Sequence, residues 1–579
     1  MKRIYTLLLL TSLVLTASAT VKPRYRGATT AAWATTDEAE TTHTPTLRRV
    51  GLHSNAPLQS YGSPCVPVIL VQFSDLKFTS GLADGETCES TEQFEAVNEF
   101  FDLFCNGQAD GTEYTTLCGS MGSITEYFRD QSDGQFTPMF KVIGPVTLSN
   151  SHDYYGKNSG SSKDVNINAF YKESIQKAQE LESDWAQFDN DGNGKADMAF
   201  FIFAGEGENS GAGAECIWPK EQPNGGTIGG VEYGCYACCN ETYKGKPDGI
   251  GVFVHELSHA LGLPDLYDYN YVAYGLDYWD IMDSGCYNQD GKTPCGYSAY
   301  EKDFMGWQNL VILDPTVPQH LVLQPGHQWG EAYKIVNPNN ANEYYIIENR
   351  QSQLWDTYIG KGTERTKMHG LLITHIDYAQ SSWTSNRLNS TRTRQRCSII
   401  PADGDLFSYM NVRTGTSIST TELYNEFYLS VTCDAFPGRT GITEWNATDS
   451  INMPYWATVN VNDTIVEEVN GQETTRIVTR KVDSLLVQKL PPFYTKPKFY
   501  QPLINIQEME DGTVELDYCP NGQFPTAIYA LPTRQPKDAT LYSINGMSLG
   551  TVRLQGQHPD LSGLPAGIYI VNKQKYIVK

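Results

Sequence analysis

Basic residues are scarce in this chain. Lysine and arginine number 43 against 67 aspartates and glutamates, a formal charge of −24 with a pI near 4.8. A protein that tracks phosphates needs the opposite balance, so nucleic acid is not an expected partner. Anionic membrane surfaces are disfavoured on the same ground. Long apolar runs are also missing: beyond the N-terminus no stretch reaches the roughly 18 residues a spanning helix needs, and no membrane span is expected. What the 579 residues do contain is 40% apolar and 12% aromatic content, enough for several packed cores, which excludes global disorder. At about 150 residues per domain, the length suggests three or four domains.

The first residues read as an export address. Lys2 and Arg3 precede an apolar stretch from Tyr5 to Leu15, and Ala17-Ser18-Ala19 supplies the small residues a signal peptidase reads. Residues 1–19 are therefore expected to be a signal peptide, and the mature chain to be secreted or held at the cell surface. No cysteine closely follows the apolar stretch, so a lipid anchor is not indicated. Thirteen cysteines suit that compartment and are expected to form disulfides, with Cys286 and Cys295 near enough to close a small loop and one thiol left over. Cys235, Cys238 and Cys239 resemble half of a zinc knuckle whose second half is missing, so disulfides are expected there too. Cys65 is likewise expected in a disulfide, since no motif around it supports a thiolate switch on a metal.

Residues 20–61 are rich in Thr, Ala and Pro, the composition of a loosely packed propeptide or N-terminal linker. Residues 62–312 alternate strands and helices. Val66–Phe73 and Met198–Ala204 read as buried strands, and Gln93–Phe104, Ile124–Phe128, Asn166–Leu181 and Ile250–Leu261 as helices, giving an α+β domain. Over 313–525 short alternating runs such as Tyr344–Ile347, Leu371–His375 and Glu426–Val431 stand between Gly, Pro and Asn clusters, a β-sandwich-like texture. Arg387, Arg392, Arg394 and Arg396 make this part locally basic, and a solvated loop is expected there. Residues 526–579 read as a small all-β module, with Asn545-Gly546 as a hairpin turn.

The chemistry is concentrated in Val254-His255-Glu256-Leu257-Ser258-His259-Ala260-Leu261-Gly262-Leu263-Pro264-Asp265. Residues four apart share a helix face, so His255 and His259 can offer two imidazoles to one metal. Glu256 stands beside the first ligand, where it can act as general base on a water the metal activates. Gly262 can take a positive φ and reverse the chain, returning Asp265 as a third ligand and leaving one position open, as in a catalytic rather than structural zinc site. With ten histidines, the core His-Glu-x-x-His pattern arises by chance in about one such chain in a hundred, and the later Gly and Asp make coincidence far rarer.

These residues resemble the extended zinc signature of metzincin peptidases in the form with Asp as third ligand. Tyr278-Trp-Asp-Ile-Met282-Asp-Ser-Gly285 resembles their Met-turn, which implies that Met282 floors the metal. More closely, the chain is similar to the immune inhibitor A-like (M6) peptidases. Pro67–Asp75, Ser123–Arg129, His255–Asp268, Ser298–Trp307, Glu348–Arg350 and His369–Asp377 carry the likeness, about residues 62 to 380. It implies a zincin-like α+β catalytic domain and a secreted zinc endopeptidase acting on protein or peptide substrates, made as a latent zymogen. Where such peptidases often carry Asp-Glu after Leu-Pro, Leu266 follows Asp265 here, so Asp265 is the nearby match and Asp268 a weaker substitute. A tyrosine near the Met-turn often helps hold the oxyanion, and Tyr287, Tyr297 and Tyr300 are candidates that spacing does not separate. The tail from Tyr542 to Lys579 resembles sorting signals of the type IX secretion route, implying outer-membrane secretion machinery as a partner; a carbohydrate- or protein-binding β module competes with that reading.

A second metal site is expected at Asp189, Asp191, Asn193 and Asp197, which set oxygen ligands at positions 1, 3, 5 and 9 of a calcium loop with Gly194 at 6. Phe200 occupies position 12, so the bidentate Glu of an EF-hand is absent and calcium would be structural. His369 and His375 read as structural histidines, and no Ser/His/Asp or Cys/His constellation supports other peptidase chemistry. Two alternatives to an endopeptidase remain at this stage: a surface adhesin that keeps the fold for binding only, which an intact Glu256 argues against, and a zinc hydrolase of non-peptide amides.

Overall fold

The structure is a computed structural model. It describes residues 56–524 except 109–113, 269–274, 329, 361–367, 392, 407–429, 470–471 and 496–499, together with strand segments between 538 and 578. The expected signal peptide (1–19), residues 20–55, the run 426–429 and the turn Asn545-Gly546 lie outside the described residues.

A mixed sheet organises the N-terminal half. Its order is β2 (Met139–Thr147), β1 (Cys65–Gln72), β3 (Ala196–Glu206), β5 (Val231–Tyr243) and β4 (Lys220–Ile228), and the short Lys246–Pro247 strand also pairs with β5. The first four run parallel, and β4 is an antiparallel edge. Both faces are covered, which is why β1 and β3 read as unbroken apolar runs. Alternate residues serve alternate faces. Val66, Val68, Leu70, Phe200 and Ile202 join the core beneath the helix Gly251–Ala260, whereas Ile69, Val71, Phe201 and Phe203 pack with the helix Ile167–Leu181. On the first face Phe253 stacks on Phe200 with ring centroids 3.6 Å apart, a pairing worth about 0.5–1.5 kcal/mol beyond area burial. The helices Thr91–Asn106 and Ile124–Gln131 cover the same face, and both begin with a capping box, from Ser90 and Ser123.

The cysteine expectation is corrected: all thirteen are free thiols. On the central strand β5, Cys238 faces one core and Cys235 and Cys239 the other. Two residues on one face four positions apart are about 13 Å apart along a strand, far beyond disulfide reach.

Residues 56–61, expected at the loose end of the N-terminal segment, are built into this half. Leu58 is buried and its N–H donates to the Ala260 carbonyl at 3.1 Å. Ser60 Oγ donates to the Met305 carbonyl, Tyr61 to the Gly306 carbonyl, and Trp307 Nε1 to the Ser60 carbonyl.

The C-terminal half carries a five-stranded sheet (Cys397–Ile399, Gly370–Asp377, Asn340–Arg350, Tyr333–Asn337, Val311–Ile312) and a four-stranded one (Trp445–Asn446, Pro502–Glu508, Val514–Tyr518, Gln319–Leu323). Tyr345 packs against Trp445 where they meet. One apolar core runs from beneath β1 and β3 into both sheets, so no break in packing accompanies the change of texture near residue 313. The basic stretch is not simply solvated: Arg394 and Arg396 both bond the buried carboxylate of Asp377, at 2.6 and 3.0 Å. A hairpin of two 19-residue strands, Ile451–Val469 with Gln472–Leu490, extends from the fold with Val466, Ile477 and Val487 exposed. The residues between its strands are Asn470 and Gly471, a tight-turn signal that the sequence reading passed over. In the tail, Asp538–Ser543 pairs antiparallel with Ser548–Gln555 on either side of the expected Asn-Gly turn, and Gly567–Val571 pairs with Gln574–Val578.

Phe253 anchors the helix Gly251–Ala260 to the sheet. Phe253→Ala should lower unfolding free energy by about 3–5 kcal/mol, measured as a shift in denaturant midpoint at unchanged slope.

Candidate metal centre

The segment Gly251–Ala260 is apolar on nearly every side, so the helix it forms is buried, and its two polar functional residues are buried with it: His255 is 8% and Glu256 6% exposed. Its first turn presses on the loop that follows Met282. A Cβ on Gly251 would lie 1.9 Å from the Cys286 carbonyl oxygen, so only glycine permits the approach. Gly262 ends the helix with φ of 96°, the left-handed geometry expected of it, and Asp265 returns toward the histidines.

The three expected ligands come together. Asp265 Oδ1 lies 3.1 Å from His255 Nε2 and 3.3 Å from His259 Nε2. Ligands bound at 2.0–2.2 Å in a tetrahedron stand roughly 3.3–3.6 Å apart, close to this spacing. The outer nitrogens are committed: His255 Nδ1 donates to the Ile281 carbonyl and His259 Nδ1 to the Leu263 carbonyl, both at 2.8 Å. In the neutral rings this tautomer leaves both Nε2 lone pairs aimed at the carboxylate, a donor set that fits a zinc ion between them. Asp268 is buried but stands outside this cluster.

Without metal the same contacts hold protons. Burial opposes a charge on His259, yet Asp265 raises its imidazolium to about 9; His255 is held well above its usual range by Asp265 and Cys286 against the same burial. Asp265 is kept well below the carboxylate range by both histidines, again against burial. Glu256 is pushed up chiefly by desolvation, partly offset by the two imidazoles and by the Glu221 backbone N–H on edge strand β4. A carboxylate whose proton affinity is raised in a dry pocket suits two-way proton transfer. Glu221 itself, unmarked in the sequence, is raised to about 7 by desolvation, offset by His259 and reinforced by Glu256 and Asp265.

Met282 is fully buried. Its carbonyl accepts the Leu266 N–H at 2.9 Å and its N–H bonds Asp280, so the turn that delivers Asp265 and the Met282 turn are joined directly. Of the three tyrosines, Tyr297 is buried against Ser258 and Tyr300 accepts from Trp383. Tyr287 is 36% exposed, its hydroxyl 3.5 Å from Asn209 Nδ2, and its phenol is raised by desolvation, then by Cys286, with Glu256 a further contribution. His369 pairs with Glu508 and His375 with Glu343, both away from the centre.

The second cluster also assembles in part. Asp189, Asp191 and Asp197 bring ligand oxygens within 4.8 Å of one another, ahead of a strand as expected. Asn193 donates its side-chain amide to Asp191. Asp197 is buried, one of its oxygens has no hydrogen-bond partner, and its carboxyl is raised to about 6 by desolvation, with Asp191 and Asp189 adding to it.

Residues 61–310 match the catalytic domain of the immune inhibitor A peptidase M6 family. Over 231 residues the chain is 28% identical to "Immune inhibitor A" of Bacillus thuringiensis subsp. alesti, covering 33% of this chain and 34% of that protein. Over 272 residues it is 27% identical to "Pre-pro-metalloprotease PrtV" of Vibrio cholerae serotype O1, covering 42% and 29%. The matched part thus spans about a third of the length of these curated relatives.

Metal must displace the protons that Asp265 helps both histidines hold, on His259 up to about pH 9. Zinc affinity should therefore rise with pH toward 9, with net proton release at pH 7 in calorimetry run in buffers of different ionisation enthalpy. Heat independent of buffer would contradict the geometry.

Proposed function

From the match of residues 61–310 to the immune inhibitor A peptidase M6 family, we propose that the chain is a secreted zinc endopeptidase that hydrolyses extracellular proteins. The convergence of His255, His259 and Asp265, with both outer imidazole nitrogens held by carbonyls, carries this reading. A zinc ion held there supplies a Lewis acid that polarises the scissile carbonyl and acidifies water. Glu256 takes the proton of the attacking water on its carboxylate and returns it to the amine that leaves. The antiparallel edge strand β4 beside Glu256 offers backbone groups to an extended peptide. Tyr287, the exposed one of the three candidate tyrosines, is the group to donate to the oxyanion. Met282 forms the apolar floor, in a zincin-like catalytic domain.

The signal peptide of residues 1–19, a latent precursor and export through the C-terminal β module belong to the same reading. The name of the Vibrio relative describes a pre-pro form. The bonds of Leu58, Ser60 and Tyr61 to the catalytic fold support a removable segment that ends ahead of Leu58 rather than at residue 61. The acidic loop at Asp189, Asp191 and Asp197 is a structural calcium site that fastens the start of β3, supported by the buried, unbonded oxygen of Asp197.

Casein cleavage should be abolished by a zinc chelator and reduced by about 10³-fold or more in Glu256→Ala, which still binds one zinc. Cleavage that survives Glu256→Ala would overturn the assignment of the base. Calcium should raise the melting temperature of the native protein but not of Asp189→Ala, with zinc content equal in both. An identical calcium response in the two proteins would remove the loop from the account.

A further inference from the structure

The third ligand is held by a residue 121 positions away. After the short helix Gln380–Thr384 the chain turns at Asn386, whose φ of 54° is a left-handed conformation that asparagine tolerates better than most residues. The turn brings one side-chain amide against both ends of Asp265. The Asp265 N–H donates to Asn386 Oδ1, and Asn386 Nδ2 donates to Asp265 Oδ2, each at 2.6 Å. With Oδ2 engaged, it is Oδ1 that faces the two imidazole nitrogens.

The neighbouring contacts reinforce this clasp. Asn389 is fully buried and donates to the Leu266 carbonyl at 2.9 Å, one residue beyond the ligand. Its own Oδ1 accepts from the backbone of Arg396 and Cys397, which ties it to the start of the strand Cys397–Ile399. Trp383 Nε1 donates to Tyr300. The segment 383–389 thus reaches from the β-rich half onto the turn that delivers Asp265.

We propose that Asn386 is a positioning residue for the metal centre: it fixes the Asp265 carboxylate as a one-oxygen ligand aimed at His255 and His259, so that the β-rich half completes the site. This rests on the reading of those three residues as zinc ligands. Partners that orient a metal-binding carboxylate typically change metal affinity by about 10–100-fold when removed, because an unrestrained carboxylate must be ordered on binding.

The test uses the full chain and four proteins: native, Asn386→Ala, Asn386→Leu and Asp265→Ala. Leu keeps the volume of the side chain and lacks its hydrogen bonds, so it decides the matter if the alanine variant fails to fold. Zinc affinity is read by competition with a chromophoric chelator, and ligand geometry by the visible spectrum of the cobalt(II)-substituted protein. The expected result is weaker zinc binding by about tenfold or more in both Asn386 variants, with an altered cobalt spectrum, beside a modest fall in the melting temperature of the metal-free protein because alanine and leucine are strained at the left-handed φ of 54°. Zinc affinity within about twofold of native with a native cobalt spectrum, while Asp265→Ala binds weakly, would overturn the role of Asn386 alone. A lower melting temperature without spectral change would likewise reduce Asn386 to a structural contact. Native zinc binding by Asp265→Ala would instead sink the ligand assignment beneath the proposal.

Discussion

Two imidazole nitrogens with outward lone pairs and a carboxylate oxygen do not sit 3.1–3.3 Å apart in a buried pocket unless positive charge lies among them. Protons supply that charge in the metal-free site and a cation would supply it in a loaded one, and the remaining architecture keeps the three atoms close. The Ile281 and Leu263 carbonyls fix the rings, and each depends on a turn. Leu263 follows the left-handed Gly262, and Ile281 precedes Met282, whose own carbonyl binds Leu266. A small movement in either turn would rotate an imidazole away from the shared point.

These turns are braced from the C-terminal half. Arg350, at the end of the strand Asn340–Arg350, is 2% exposed and makes two 2.8 Å bonds to Asp356. It also donates to the carbonyls of Trp279 and Gly296, on either side of the Met282 turn. Burying a guanidinium is costly unless its donors are satisfied, and the planar fork meets one carboxylate and two carbonyls at once. The buried carboxyls of Asp280 and Glu301 stand nearby, and Glu301 is raised well above its usual range by desolvation and by Asp280, which favours a shared proton over two charges. With the apolar core continuous across both halves, the segment 61–310 and the sheets that follow act on one site together.

Much of this was legible in the sequence because it is local. The strands Cys65–Gln72 and Ala196–Glu206 and the helices at 91–106, 167–181 and 251–260 follow from periodicity and apolar runs within one element. The ligand spacing His255, His259 and Asp265 follows from one helix and one turn. What sequence could not supply is pairing between distant segments. Asn386 carries no mark that separates it from other polar residues, and the likeness carried by Glu348–Arg350 does not say what Arg350 bonds; their partners lie 121 and 71 positions away. The cysteines misled for the opposite reason: composition and an export signal favour disulfides, yet thiols on opposite faces of β5 serve as small apolar side chains in two separate cores. The long hairpin was missed although Asn470-Gly471 stands between its strands, because the alternation over Ile451–Val461 fades before the turn and Gln472–Leu490 shows no sustained alternation to match it.

The central claim is a metal held by two imidazoles and one carboxylate oxygen. The Cys286 thiol interacts with the His255 side chain and offers a different donor. X-ray absorption at the zinc edge of the purified, metal-loaded full chain distinguishes them directly. The account predicts one zinc per chain in a shell of only nitrogen and oxygen at about 2.0–2.2 Å, with two imidazoles in the outer-shell scattering. A sulfur scatterer near 2.3 Å, or a shell with fewer than two imidazoles, would contradict it.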